Sequence, residues 1–234
     1  MMPPTIFLPP PSCGLPLEEM EGRVASLRRL PTVTFDVDGV LANIMQGIFD
    51  LMTPLTLKFR DWHDCTHWDT ARSGLLTPEE CAQAWRAVLN EPYFWAKLEP
   101  FEDVDFQTLN THMEVGEFVG YFVTSRFDLD TPNFVGDARF LTQCWLQKQG
   151  LKAHAGVVVQ RNQSRADLLY GLGSDYHLDD NGDNYLSLCA AGIQAYLLDR
   201  PWNRYLCTPD RVFSIAEFLN RTVFQLCQED VACQ

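Results

Sequence analysis

The stretch Thr32-Val33-Thr34-Phe35-Asp36-Val37-Asp38-Gly39-Val40-Leu41-Ala42 decides how the rest of the chain is read. Its β-branched and aromatic opening predicts a strand that stops at two carboxylates and a glycine. Residues two apart on a strand share a face, so Asp36 and Asp38 can look into one space. Two carboxylates in one space repel, and they either share a proton or hold a cation. Such a pair suits metal-assisted phosphoryl chemistry, with one Asp as nucleophile and the other as acid and base. Asp-Gly between apolar runs is also a hairpin signal, and the segments that follow must separate the two readings.

From Glu117 onward, strand and helix patterns alternate. Phe118 to Val123 is an apolar run ending in Thr124-Ser125-Arg126, and Ala138 to Gln149 predicts a helix stopped by Gly150. Gly156 to Gln160 is β-branched, Ser164 to Leu172 is helical up to Gly173, and Asp175 to Leu178 leads into Asp179-Asp180. Leu186 to Ala191 is helical with Gly192 as C-cap, Ile193 to Leu198 is a further strand, and Ser214 to Glu217 opens a last short helix with a capping box. This alternation implies a parallel sheet covered on both faces, with ligands beyond the carboxyl ends of its strands. Asp36, Thr124 and Asp179 all fall at such ends. Between the first strand and this region, Asn43 to Pro100 predicts a mostly helical insertion. It opens with Ile44, Ile48, Phe49, Leu51, Met52 and Leu55 at helical spacing. A second helix starts at Thr77-Pro78-Glu79-Glu80, where Thr77 caps, Pro78 suits the first turn and Glu80 closes a capping box.

The chain of 234 residues suits one large domain or a core with a smaller insert, and it shows no apolar run long enough for a membrane span. Met1 to Pro11 is Pro-rich without a basic start, which reads as a loose arm rather than a secretory signal. A helix follows over Leu17 to Leu30. A net charge of −13 argues against duplex nucleic acid as a partner, while a local cation can still favour a small anion in one cleft. The eight cysteines are scattered without a CxxC pair, and Cys81, Cys144 and Cys189 sit in apolar helical patterns, so a reducing, cytoplasmic setting is expected. A disulfide between Cys227 and Cys233 stays open. His63, Cys65 and His67 alternate as zinc ligands on one strand face could, yet no fourth ligand accompanies them, and polar loop residues explain them as well.

Asp36-Val37-Asp38-Gly39-Val40-Leu41, Phe122-Val123-Thr124-Ser125, a basic residue near Arg165, and Leu178-Asp179-Asp180 occur in this order. Together they resemble the haloacid dehalogenase-like phosphatase superfamily over about Val33 to Asn220. Two further stretches, Tyr93 to Pro100 and Asp199-Arg200-Pro201-Trp202-Asn203, are similar to its 5′(3′)-deoxyribonucleotidase group. The resemblance implies a Rossmann-like three-layer α/β/α core over 31–42 and 101–221, a helical cap over 43–100, an arm and helix over 1–30, and a tail over 222–234. It implies Asp36 as nucleophile, Asp38 as acid and base, and Thr124 holding phosphoryl oxygens. Arg165 would stand where the superfamily usually has Lys, with Arg161 as a competitor. Mg²⁺ would be held by Asp36, the Asp38 carbonyl and Asp179, with Asp180 behind them. Phe49, Phe94 and Trp95 would wall a nucleobase, and Ser125 and Arg126 would reach the phosphate or sugar. The expected reaction is Mg²⁺-dependent hydrolysis of nucleoside 5′-monophosphates, deoxyribonucleotides foremost. A sugar phosphate, a nucleic-acid 3′-phosphate or a catalytically lapsed nucleotide-binding module remain as alternatives, and a homodimer stays open.

Overall fold

A computed structural model describes residues 29–56, 60–127, 137–151, 156–160 and 163–224. The Pro-rich arm, nearly all of the helix expected over Leu17 to Leu30, Arg161, the Cys227–Cys233 pair and the tail beyond Phe224 lie outside the described residues. Every residue of β1 (Thr32–Asp36) is buried, as a central strand covered on both faces requires. β2 (Val119–Thr124) and β4 (Tyr176–Asp179) flank it, and β3 (Gly156–Val159), β5 (Ala195–Leu198) and the short β6 (Arg211–Val212) complete a six-stranded sheet. The order is β3-β2-β1-β4-β5-β6, and every pairing is parallel. Parallel pairing of β1 on both sides removes the hairpin reading of Asp38-Gly39.

The chain winds outward from β1 through β2 to β3, then returns to the other side of β1 at β4. Crossovers between parallel strands are right-handed as a rule, which puts the helices of the two halves on opposite faces. The reversal opens a crevice at the carboxyl ends of β1 and β4. This is a Rossmann-type α/β fold, with the packed core of Phe35, Phe122, Leu178 and Phe218 against the sheet.

Between β1 and β2 lie α1 (Ile44–Thr56), α2 (Pro78–Asn90), α3 (Phe94–Lys97) and α4 (Phe106–Glu114). The chain leaves at Ala42 and comes back at Pro100, where the two residues face each other in an antiparallel bridge. The expected capping box forms at α2: Thr77 accepts from the Glu80 amide, and the Glu80 carboxylate accepts from the Thr77 amide. α5 (Ala138–Lys148), α6 (Arg165–Leu172), α7 (Gly182–Ala190) and α8 (Ile215–Leu219) follow the later strands.

Three local expectations need correction. α7 starts at Gly182 rather than Leu186, because the Asn181 side chain caps it by accepting from the Asp183 and Asn184 amides. Ser214 caps α8, but the Glu217 carboxylate reaches past it to the Phe213 amide, so the box is not reciprocal. Cys189 is exposed rather than part of the core. No helix among the described residues is long and apolar enough to cross a membrane.

Candidate active site

β1 ends at Asp36, and the chain turns at once. The amides of Leu41 and Ala42 both donate to the Val37 carbonyl, at 2.9 and 2.8 Å, closing a tight loop over Asp38 and Gly39. Asp38 therefore reaches the crevice through this loop and not through strand alternation, yet both carboxylates line the same cleft of about 270 Å³. Gly39 has φ +92°, and a Cβ there would lie 2.1 Å from Asp180 Oδ2. Only glycine allows the loop to approach the end of β4 this closely.

At that end, Asp179 and Asp180 are wholly buried. Asp179 accepts from the Asn181 amide at 2.8 Å, from Asn184 Nδ2 at 3.2 Å, and faces His177 Nε2 at 3.2 Å. His177 is itself buried, with Nδ1 2.7 Å from the Thr34 hydroxyl. Burial holds His177 below the ordinary histidine pKa, so it is neutral and can donate to Asp179 through Nε2. Burial acts to raise the Asp179 carboxyl, but the His177 hydrogen bond and Arg165 outweigh it and hold the group below the usual range. Burial, with the neighbouring charges of Asp179 and Asp36, pushes Asp180 well above that range. Asp180 Oδ2 accepts from Trp202 Nε1 at 2.7 Å, while its Oδ1 is buried with no hydrogen-bond partner among the described residues.

Burial also raises Asp36, against the pull of Arg165, to a pKa of about 7. Ligand atoms of Asp36, Asp179 and Asp180 lie within 4.8 Å of one another. A cation fits here on three counts: an orphaned buried carboxylate oxygen, a glycine-lined approach, and an all-oxygen donor set suited to a hard divalent ion. His63, Cys65 and His67 do not gather in the same way. His63 pairs with Asp61, the Cys65 thiol donates to the His67 carbonyl, and the His67 ring stacks on Tyr205.

Arg165 enters the site from the start of α6, which Ser164 caps by accepting from the Asp167 amide. Its Nη1 donates to Asp36 Oδ1 at 3.1 Å, Nε to Gln160 Oε1 at 2.7 Å, and Nη2 to the Ser125 hydroxyl at 3.0 Å. The guanidinium fork is thus spread over three acceptors where an ammonium would offer a point charge. Gln160 had no signal in the sequence beyond its place at a strand end. Thr124 is wholly buried, and its hydroxyl donates to Asp38 Oδ2 at 2.9 Å instead of opening toward the cleft. Arg126 lines the cleft, and its guanidinium is engaged by Asp38, at 2.8 Å from Nη2 to Oδ1.

Trp68, Trp85, Trp95 and Phe127 form the aromatic side of the cleft, with Phe127 edge-on to Trp85 and Trp95. The structure brings Trp95 to the site but not Phe49 or Phe94. Phe49 has no exposed surface and packs in the core, and Phe94 lines a separate depression with Gln46 and Leu98. Both lie on helical faces that supply packing, which helical spacing alone cannot distinguish from a ligand wall. Trp85 sits on an exposed face of α2, where its partial burial carried no pattern. The Asp199–Asn203 stretch proves to be a brace. Arg200 donates to the carbonyls of Gly39 and Val40 at 2.8 and 3.1 Å and pairs with Asp103, while Asn203 donates to the Asp180 carbonyl at 2.7 Å.

A family model described as "5' nucleotidase, deoxy (Pyrimidine), cytosolic type C protein" matches residues 29–224, and the chain belongs to this family. No curated protein matches the chain. Among solved structures, a haloacid dehalogenase superfamily hydrolase, subfamily IA, from Geobacter sulfurreducens is similar with TM-score 0.52 and 15% identity, over 82% of this chain and 96% of that one. A predicted phosphoglycolate phosphatase from Haemophilus somnus gives TM-score 0.52 and 13% identity, over 84% and 100%. A haloacid dehalogenase-like hydrolase from Streptococcus pneumoniae gives 0.51 and 13%, over 82% and 91%. At these identities the three share the fold.

Proposed function

We propose that the chain is a Mg²⁺-dependent phosphomonoesterase that hydrolyses nucleoside 5′-monophosphates, deoxyribonucleotides foremost, through an aspartyl-phosphate on Asp36. The observation that carries the reading is the meeting of Asp36, Arg165 and the Asp179–Asp180 pair at the topological switch between β1 and β4. Family membership supports the nucleotide as substrate.

In the first step an Asp36 oxygen attacks phosphorus, the bond to the 5′-oxygen breaks, and Asp38 gives that oxygen its proton. In the second, water attacks the aspartyl-phosphate, Asp36 leaves, and Asp38 takes a proton from the water. Arg165, fixed by Gln160 and Ser125, meets the charge on the phosphoryl oxygens, and the Ser125 hydroxyl stands beside it. Asp36, the Asp38 carbonyl and Asp179 would hold Mg²⁺, with Asp180 oriented behind them by Trp202. The ion supplies electrostatic neutralisation of nucleophile and phosphoryl group. Thr124 acts on Asp38 in this scheme rather than on the substrate. The aromatic side of the cleft takes the base, and residues 43–100 act as a cap that excludes water.

The setting is the cytoplasm, with a free nucleotide rather than duplex nucleic acid as partner. Phosphate release from a panel of deoxy- and ribonucleotides and sugar phosphates, with Mg²⁺ and with EDTA, tests the proposal. Metal-dependent release concentrated on nucleotides, abolished in a folded Asp36→Asn variant, is expected. Release from sugar phosphates alone would overturn the nucleotide assignment, and full activity of Asp36→Asn would overturn the mechanism.

A further inference from the structure

Arg126 stands just beyond β2 and is almost wholly buried. Its guanidinium meets Asp38 edge-on. Nε lies 2.9 Å from Oδ2 and 3.1 Å from Oδ1, and Nη2 lies 2.8 Å from Oδ1. The Thr124 hydroxyl donates to Asp38 Oδ2 at 2.9 Å, and it accepts from the Arg126 amide at 3.2 Å. Arg126 is in turn held from behind. Nη1 donates to the Thr142 hydroxyl at 3.0 Å, which donates to the Ala138 carbonyl at 2.7 Å inside α5. The guanidinium carbon lies over the Trp95 ring, 5.1 Å from its centre.

One arginine edge and one hydroxyl therefore set both the plane and the direction of the Asp38 carboxylate. Bidentate arginine pairing adds geometric specificity to charge. Arg126 lines the cleft beside Asp38, and it spends its Nε–Nη2 edge on that carboxylate. Its anchor, Thr142, lies on α5, which also sets the Trp145 ring 6.0 Å from the guanidinium.

We propose that Arg126 is a positioning residue for Asp38. It holds the carboxyl group where a proton passes to the leaving oxygen of a phosphomonoester, with Thr142 as its own anchor. The proposal rests on the phosphatase reading above. In the step concerned the Asp36–phosphorus bond forms and the phosphorus–oxygen bond to the leaving group breaks. The electron pair goes to the leaving oxygen, and the proton of Asp38 follows it.

How much that proton matters depends on the leaving group. An alkoxide needs it and a nitrophenolate does not. Disturbing Asp38 must therefore slow an alkyl phosphate far more than p-nitrophenyl phosphate, whereas general loosening of the fold slows both alike. The measurement is kcat/KM with Mg²⁺ for both esters, the alkyl ester being a deoxyribonucleoside 5′-monophosphate or, failing activity on it, a sugar phosphate. The variants are Arg126→Met, Arg126→Lys, Thr142→Val and Asp38→Asn, with Arg126→Met also placed in the Asp38→Asn background.

Arg126→Met should lower the alkyl ester about 100-fold, within the usual range for general acid catalysis. It should lower the aryl ester about fivefold or less. Thr142→Val should shift the ratio in the same direction by about threefold to tenfold, and Arg126→Lys should restore part of it. In Asp38→Asn, Arg126→Met should leave the ratio unchanged, because the residue acts through Asp38. If Arg126→Met does not fold, Thr142→Val and Arg126→Lys carry the same comparison. Equal losses on the two esters, or a ratio change that persists in Asp38→Asn, would overturn the proposal while leaving the phosphatase reading intact. A wild-type chain that hydrolyses neither ester would overturn both.

Discussion

Asp36→Asn should make the metal-free protein more stable, and increasingly so as pH rises. Burial, opposed by Arg165 and reinforced by Asp179 and Asp38, lifts the Asp36 carboxyl from 3.8 to about 7. Between those values the native state keeps a proton that the unfolded chain has released, so stability falls as pH rises through the window. At about 1.4 kcal/mol per pH unit, the full cost above pH 7 is roughly 4 kcal/mol. An amide of the same shape removes that cost and can still accept from Arg165 Nη1, but it withdraws a counter-charge from a buried guanidinium. The net gain should be about 2 kcal/mol at pH 8, shrinking to nearly nothing at pH 4. Urea unfolding in EDTA across that range measures it. The difference between the two chains sets aside, to first order, His177, whose depressed pKa gives the opposite slope below 6.5. Adding Mg²⁺ at pH 8 should reverse the ranking, because the cation binds the native wild type and not its unfolded chain. A variant no more stable than wild type at pH 8 in EDTA would refute the picture of a carboxylate held in place at a cost.

Arg165→Lys should lower kcat by about 10-fold to 100-fold while raising KM little, because a point charge cannot hold Gln160, Ser125 and Asp36 together; steady-state kinetics checks this. Trp85→Ala should raise KM for nucleotides about tenfold and leave a sugar phosphate almost unaffected, as loss of one stacking surface costs about 1–3 kcal/mol; side-by-side saturation curves with the two substrates check it. Trp202→Phe removes the donor to Asp180 Oδ2 and leaves both oxygens of a buried carboxyl without partners among the described residues. It should cost about 1–3 kcal/mol in EDTA, part of it recovered with Mg²⁺, as read by thermal unfolding.

The fold was legible because its signals are local. The β-branched run before Asp36, the Thr77–Glu80 capping box and Gly173 at the end of α6 each act through neighbours in sequence. The strand ends at Asp36, Thr124 and Asp179 could be placed for the same reason. What could not be read is which acceptor each charged group chooses. Arg126, expected at the substrate, does line the cleft, but its guanidinium is engaged by Asp38 on one edge and by Thr142, sixteen residues on in α5, on the other. Phe49 was expected at a base and lies in the core, because an apolar helix face looks the same whether it meets protein or ligand. Trp202 was read only as part of a resembling stretch, and its bond to Asp180 spans more than twenty residues with no spacing rule to announce it.

The charges of the site close on a definite deficit. Asp36, Asp38, Asp179 and Asp180 are all buried at one end of the sheet. Among the described residues, Arg126 pairs with Asp38, and Arg165 stands between Asp36 and Asp179, at 3.1 and 3.6 Å. His177 is held neutral by burial. Arg200 also acts on Asp180 but is balanced by Asp103, so four carboxylates against two remaining guanidinium groups leave two negative charges uncompensated when all are ionised, the charge of one divalent cation with its sign reversed. Without such an ion, burial first and the neighbouring carboxylates second favour protonation, and both raise Asp36 and Asp180. A bound cation would drive those protons off and leave Asp36 ionised at neutral pH, the state a nucleophile requires. On the proposed mechanism, metal dependence and activation of Asp36 would be one property of the site. A divalent ion should therefore release protons as it binds at pH 6, and should release fewer when Asp36 is replaced by Asn. Calorimetric titration in two buffers of different ionisation enthalpy measures that difference directly.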